Sequence, residues 1–297
     1  MSPATSLPLS VIVASYEWHD ALDLVLEALA EQSNPHFAVV VADDGSGHET
    51  HAVVERWQAV FGDRLVHTWQ VDDGYRRARS LNLAALHARS RFLVFIDGDC
   101  VPRRRFVDAI IRAALPGWFL ASKRLNLSAE LSRRALEQRL PIWRWSALRW
   151  LVLEPSEVFD SPREVGRPGL LVPIRDRRRP WRPTQPEFAP PFDGYGFCLG
   201  VARDDLERVN GFDMRFTGWG GEDVDVATRL RRAGLRCGWP GAQATMLHLW
   251  HLERKGAMSP NTSLVAETVS SERIESVEGL RELARELQAN ASRAGSV

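Results

Sequence analysis

Phe92-Leu93-Val94-Phe95-Ile96-Asp97-Gly98-Asp99-Cys100-Val101-Pro102 is the stretch on which the fold turns. Its five leading apolar residues, rich in aromatic and β-branched types, read as a strand buried on both faces. The run ends in two carboxylates separated by one glycine. In an open α/β sheet, ligands bind beyond the carboxyl ends of the strands. Hard divalent cations take oxygen ligands and bridge carboxylates to substrate phosphates. Asp97-Gly98-Asp99 at the exit of a buried strand therefore suits Mn²⁺ or Mg²⁺. Asp-Gly is also a common turn dipeptide, so a plain turn competes for these residues taken alone.

Outward from that strand, strand and helix patterns alternate. Ser10 to Ser15 reads as a first buried strand. Asp20 is placed to cap a helix reaching Gln32, with Leu22, Val25, Leu26 and Leu29 on one face. Phe37 to Ala42 is a second strand, exiting into Asp43-Asp44-Gly45-Ser46. Thr50 to Phe61 has helical spacing, Leu65 to Val71 reads as a third strand, and Arg76 to Ala88 as a helix feeding the quoted strand. The alternation predicts an α/β fold: a mostly parallel sheet flanked by helices. Phe106 to Leu115 then reads as a helix and Trp118 to Ser122 as an edge strand.

From Leu131 to Pro183 there are 12 Arg and no Lys against 6 acidic residues, with Trp143, Trp145, Trp150 and Trp181 interleaved. Ala129 to Leu153 reads as an amphipathic helix broken at Pro141, and Ser161 to Pro191 as loop or partly disordered chain. A solvated insertion is one reading. The other is a surface that meets anionic headgroups or a lipid-linked acceptor, since Trp and Arg together suit an interface. Order returns at Gly194, with a strand from Gly196 to Ala202 and a short helix from Arg203 to Val209 stopped by Asn210-Gly211. Val224 to Ala233 is helical. Cys237 to Leu249 reads as a final strand with His248 and His251 at its end. Ile274, Val277, Leu280, Leu283 and Leu287 predict one amphipathic helix within Leu264 to Gln288. Four segments result: 1–115, an α/β half; 116–191, an acceptor-side or membrane-facing insertion; 192–255, a second half of the same domain; and 256–297, a helical tail.

The 297 residues are 44% hydrophobic and 26% charged with a formal net charge of zero, a soluble composition whose core needs no disulfides. Zero net charge gives no global attraction to nucleic acid. Cys100, Cys198 and Cys237 are odd in number and widely spaced, which suits reduced thiols in a cytosol. The first residues lack a basic region and an apolar run long enough for a leader. No window approaches about 20 apolar residues. The expectation is a cytoplasmic protein, at most peripheral on the cytoplasmic face of the inner membrane.

Four polar groups sit at the expected strand ends and loops. A carboxylate of Asp43-Asp44 can accept hydrogen bonds from a base N–H or ribose hydroxyls. Tyr75-Arg76-Arg77-Ala78-Arg79 opens a helix, where amides and guanidinium forks both favour a diphosphate. Asp97 and Asp99 are the third group. In Trp219-Gly220-Gly221-Glu222-Asp223, adjacent glycines let backbone approach a ligand and Trp219 offers a flat face for a sugar ring. Glu222 and Asp223 stand near a helix start, where the dipole holds a carboxylate ionised as a general base. Each group has a plainer reading as a turn or a solvated face. One of His248 and His251 could complete a metal shell of oxygen ligands. Their spacing lacks the i, i+4 pair and Glu of a helical zinc site.

Taken together, Ser10-Val-Ile-Val-Ala-Ser15, Val41-Ala-Asp-Asp-Gly-Ser46, Gly74-Tyr-Arg with Leu81-Asn-Leu-Ala84, and Phe95-Ile-Asp-Gly-Asp-Cys-Val-Pro102 resemble family-2 glycosyltransferases of the GT-A (Rossmann-like) fold. Asn210-Gly-Phe-Asp213 and Gly218-Trp-Gly-Gly-Glu-Asp-Val-Asp225 resemble the C-terminal galactosyltransferase-type module of many members. The resemblance covers about Leu9 to His251 and leaves the Arg/Trp-rich insertion uncovered. It implies a metal-dependent inverting transferase that takes a nucleoside-diphosphate sugar, UDP-linked foremost, to a glycan or lipid-linked acceptor in surface polysaccharide or lipopolysaccharide synthesis. Ser15, Asp43, Asp44, Arg76, Arg79, Asp97, Gly98 and Asp99 are then donor-binding, with Asp97, Asp99 and His248 (or His251) on the cation. Asp223 is the base, and Trp219, Gly220, Gly221 and Glu222 place the acceptor. Leu81 stands where the family often has Arg, which leaves Arg79 as the substitute phosphate contact. Two other classes stay open. A sugar-phosphate nucleotidyltransferase would release pyrophosphate instead, and a non-catalytic glycan-binding protein would need neither acidic pair.

Overall fold

The computed structural model describes residues 8–146, 149–150, 198–252 and 261–294. In chain order its elements are β1 (Leu9–Ser15), α1 (His19–Ala30), β2 (Ala38–Asp43), α2 (His48–Phe61), β3 (Leu65–Trp69), α3 (Arg77–His87), β4 (Phe92–Asp97), β5 (Cys100–Pro102), α4 (Phe106–Ala113), β6 (Trp118–Ala121), β7 (Arg124–Asn126) and α5 (Ala129–Glu137). There follow β8 (Cys198–Ala202), α6 (Arg203–Arg208), α7 (Glu222–Arg232), β9 (Arg236–Gly238), β10 (Met246–His248), α8 (Thr262–Ser270) and α9 (Leu280–Ala294).

Seven strands form one sheet in the order β3-β2-β1-β4-β8-β6-β9, and β5-β10-β7 form a small second sheet. β3, β2, β1 and β4 run parallel; β8 is antiparallel to β4 and β6, and β9 is parallel to β6. Side chains alternate between faces along a strand, and β4 serves two cores that way. Val94 and Ile96 pack with α1 and α4, while Leu93 and Phe95 pack with α3 and α7. Each such side chain contributes about 1.5–3 kcal/mol when fully buried, which is why the run is apolar throughout. The register pairs Ser15 with Asp43 and Ala14 with Asp97. Three strand ends thus share one edge of the sheet, at the point where the chain order reverses about β1 and a crevice opens.

Several expectations are corrected. Trp18 is the N-cap of α1 without a side-chain cap bond, and Asp20 lies in the first turn. β6 is interior, between β8 and β9, because β9 takes the expected edge. The single final strand is two. Pro240-Gly241 and a short 3₁₀ turn at Ala242–Ala244 separate β9 from β10, and the two join different sheets. The single closing helix is also two, α8 and α9. Between them Ser276 donates to the Asn210 carbonyl at 2.7 Å, which ties the connection to the domain. The break at Pro141 holds: α5 ends at Glu137, and a 3₁₀ turn follows at Ile142–Arg144.

Trp143, Trp145 and Trp150 are buried in the core on the α1 side, and the Trp143 indole donates to Glu31 at 2.6 Å. They fill space against the sheet and present no surface to a membrane. Trp181, and the loop expected over Ser161 to Pro191, lie outside the described residues. Among the described residues no helix is long and apolar enough to cross a membrane.

Candidate active site

β2 ends in adjacent acids that serve different purposes. Asp43 is fully buried. Its Oδ1 accepts from the Gly45 and Ser46 amides at 3.2 and 2.8 Å, and its Oδ2 lies 2.9 Å from His67 Nε2. Burial opposes its charge, but these bonds outweigh burial and hold the carboxyl below the usual range. Asp43 builds the turn, whereas Asp44 and Ser15 line a cleft of about 150 Å³. Asp44 accepts from Gln70 Nε2 at 2.5 Å and the Arg76 amide at 2.8 Å, and burial raises its pKa.

Of the three arginines that open α3, the cleft receives Arg77. Arg76 donates to the Val71 carbonyl and pairs with Asp73 at 3.2 Å. Arg79 donates to Gln70 at 2.7 Å and to Glu286 of α9 at 2.6 Å. Neither side chain lines the cleft. Arg77 instead spans the cleft, with Nη2 2.5 Å from Asp97 Oδ1 and Nη1 3.1 Å from Glu222 Oε1. Helical phase carries the signal for this choice. Arg77 shares a face with Ser80, Leu81 and Ala84, which is the buried side of α3.

Asp97, Gly98 and Asp99 all line the cleft. A Cβ on Gly98 would stand 2.6 Å from the Ala14 carbonyl oxygen, so glycine lets this turn lie against the end of β1. Burial, with the Asp99 charge adding to it, raises the Asp97 pKa against the pull of Arg77. For Asp99 burial is outweighed by His248 and His251, and its carboxyl is held low. Asp99 Oδ2 lies 3.5 Å from His248 Nε2 and 3.4 Å from His251 Nε2. The pairing of β10 with β5 sets His248 opposite Cys100, and Asn126 Oδ1 holds His248 Nδ1 at 3.1 Å. Asp99 Oδ1 and His248 Nε2 are buried without hydrogen-bond partners. Orphaned buried atoms of ligand type beside a second carboxylate fit a divalent cation. Asp99 and His248 belong, with Cys100, to a group whose ligand atoms lie within 4.8 Å of one another, and the more exposed His251 stands beside them. Burial keeps the adjacent Cys100 a thiol.

The loop from Gly218 to Gly221 meets this edge from the other half of the chain. The Gly218 amide donates to the Tyr75 carbonyl at 2.8 Å, and Asn261 Nδ2 donates to the Gly220 carbonyl at 2.7 Å. Gly221 has φ 100° and starts α7, and a Cβ on it would meet Val265 at 2.7 Å. Glu222, Asp223 and Asp225 fill the first turn of α7, and Arg229, Arg231 and Arg232 the last, matching the helix dipole. Glu222 is buried, and burial first, then the Asp223 charge, raises its pKa. Asp223 is half-buried and Trp219 is 58% exposed. Asn82 joins the two halves. It donates to the Phe212 carbonyl at 2.7 Å and accepts from the Phe212 amide at 2.9 Å.

An α/β sheet whose strand ends carry acids around one cleft, linked by Arg77 to the helix start after a glycine loop, is the arrangement of the GT-A fold. Residues 10–122 match the family model described as glycosyl transferase family 2, and residues 184–252 match the one described as the N-terminal domain of galactosyltransferase. The chain is 31% identical over 240 residues to validoxylamine A glucosyltransferase of Streptomyces hygroscopicus subsp. limoneus, covering 76% of this chain and 48% of that protein. To chondroitin synthase of Pasteurella multocida it is 25% identical over 241 residues, covering 77% of this chain and 23% of that protein. The chain thus spans about half the length of the first relative and about a quarter of the second. Its fold is similar to that of mannosyltransferase PcManGT from Pyrobaculum calidifontis in complex with GDP-Man and Mn²⁺ (TM-score 0.52, 20% identity, 98% of this chain and 76% of that one). It is also similar to S. aureus TarS 1–349 in complex with UDP (TM-score 0.60, 15% identity, 93% and 68%).

Proposed function

We propose that this chain moves a sugar from a nucleoside-diphosphate donor, UDP-linked foremost, to a hydroxyl of a glycan or lipid-linked acceptor, inverting the anomeric centre. The observation that carries this is the Arg77 bridge. Through one guanidinium it brings Asp97, at the end of β4, within reach of Glu222, at the start of α7.

Asp44 and Ser15 take the nucleoside, and Asp43 acts on it only through the turn. Asp97 and Asp99, with His248 or His251, would hold Mn²⁺ or Mg²⁺. The cation, when bound, offsets charge on the leaving diphosphate. Arg77 offers that diphosphate a second positive group with fork geometry. Asp223, in the first turn of α7, removes the proton from the acceptor hydroxyl. Trp219 gives the acceptor ring an exposed face to stack on, and Gly220, Gly221 and Glu222 set its approach. The chondroitin synthase relative supports a glycan acceptor. The setting that fits is surface polysaccharide or lipopolysaccharide assembly on the cytoplasmic side of the inner membrane, with peripheral contact.

Thermal shift and nucleoside-diphosphate release against a panel of UDP-, GDP- and dTDP-sugars test this. A UDP-sugar that raises Tm and is turned over with Mn²⁺ or Mg²⁺, and not in chelator, is the expected result. Pyrophosphate release from a nucleoside triphosphate, or no response to any donor, contradicts it.

A further inference from the structure

A second group of ligating side chains stands outside the cleft lining. His51, on α2, and His67, on β3, both approach Asp43 at the end of β2. Each of the three offers one ligand atom, and these atoms lie within 4.8 Å of one another. The two imidazoles meet edge-on with centroids 4.9 Å apart. Asp43 spends Oδ1 on the turn amides and keeps Oδ2 for the histidine side. His51 Nε2 is buried and has no hydrogen-bond partner. A hydrogen bond to Asp43 accounts for His67. Among the described residues nothing accounts for the orphaned nitrogen of His51, and leaving such an atom unsatisfied is costly.

We propose that Asp43, His51 and His67 bind a borderline divalent cation, zinc foremost. Two imidazoles and one carboxylate with an open fourth position form a donor set that Zn²⁺ accepts in tetrahedral geometry. Bonds of about 2.0–2.1 Å at tetrahedral angles set ligand atoms about 3.3 Å apart. That value falls between the 2.9 Å of the His67–Asp43 contact and the 4.8 Å limit of the group, so small side-chain rotations close the shell. The cleft pair Asp97 and Asp99 differs in chemistry, being mainly oxygen and suited to harder ions. A cation at Asp43 ties β2, β3 and α2 together beneath the turn that presents Asp44. Its role is to hold that turn, not to touch the substrate.

The test uses the full chain carrying Asp99→Asn, which removes the central ligand of the cleft site. It is titrated with Co²⁺, whose tetrahedral complexes absorb strongly in visible light. One equivalent with tetrahedral absorption, displaced by Zn²⁺, and a Tm raised by Zn²⁺ are expected. Adding His51→Gln, which keeps most of the side-chain volume, should abolish both signals. His67→Gln is read in the same way and decides the matter if His51→Gln does not fold. No tetrahedral absorption in Asp99→Asn, or absorption and Tm shift that survive these glutamine substitutions, overturns the site.

Discussion

Arg77 Nη2 lies 2.5 Å from Asp97 Oδ1, so the first residue of α3 neutralises the last residue of β4. Burial pushes the Asp97 carboxyl toward its neutral form, and Arg77 opposes that push. A buried carboxylate that loses its partner costs more than the pair was worth. Arg77→Ala is expected to lower kcat/KM for donor turnover by at least about tenfold, the scale of a lost charge-assisted bond. Arg77→Lys should recover only part, since lysine lacks the fork. Arg79→Ala should raise the donor KM less than Arg77→Ala, because Arg79 does not line the cleft and reaches Gln70 and Glu286 instead. Steady-state kinetics of the three variants checks the order.

Gly98→Ala places a methyl against the backbone oxygen of Ala14, which has no side chain to move aside. The strand end must shift, at a cost of about 1–3 kcal/mol of the overpacking kind. Tm should fall, and the divalent-ion dependence of turnover should weaken because Asp97 and Asp99 move with the turn. Unchanged Tm and ion dependence would show that the turn is not held so closely.

Arg229 and Asp225 form a fully buried pair, and Arg229 also donates to the carbonyls of Val209 and Gly211 at 2.6 and 2.8 Å. Arg229→Met strands a charge in the core and is expected to cost about 3–5 kcal/mol. Urea unfolding monitored by tryptophan fluorescence measures it.

Asp213 shows how stability depends on pH. Burial opposes its ionisation, but bonds from Arg215 and from the Arg215 and Val277 amides hold its carboxyl low. The folded pKa lies below the unfolded one, so the stabilisation is present above the unfolded value of about 3.9. It is lost as pH falls through the folded value. Asp213→Asn should therefore narrow the gap between stability at neutral pH and stability below about pH 4. Asp44 and Glu222 act in the opposite sense, because burial raises their pKa values. Denaturant midpoints of both proteins across that range give the comparison.

Much of this architecture is legible in sequence because its signals are periodic or local. The apolar run at Phe92 to Ile96, the alternation of strand and helix, and the glycine-acid junction at Gly221-Glu222 each specify their own conformation. The role of Arg77 required a helical phase that three arginines in four residues obscure. The contact of His248 with Asp99 depends on a break at Pro240-Gly241 that sends β10 to a different sheet, a long-range outcome that no local pattern encodes. The tryptophans at 143, 145 and 150 look like an interface by composition. Their burial follows from the space left beside α1, which only the packed fold defines. Asn261 lies beyond the motif-bearing residues, and its hold on Gly220 follows from where α8 packs.

The most direct measurement is turnover by Asp223→Asn beside its binding of UDP. A positioned base contributes about 10²–10⁴-fold. Nucleoside-diphosphate release from the accepted donor should fall by at least about 10²-fold, while the Tm rise expected with UDP should be the same as for the unmodified protein. Turnover within a few-fold of the unmodified protein would mean that Asp223 is not the base and that the start of α7 does not share a reaction site with Asp97 and Asp99.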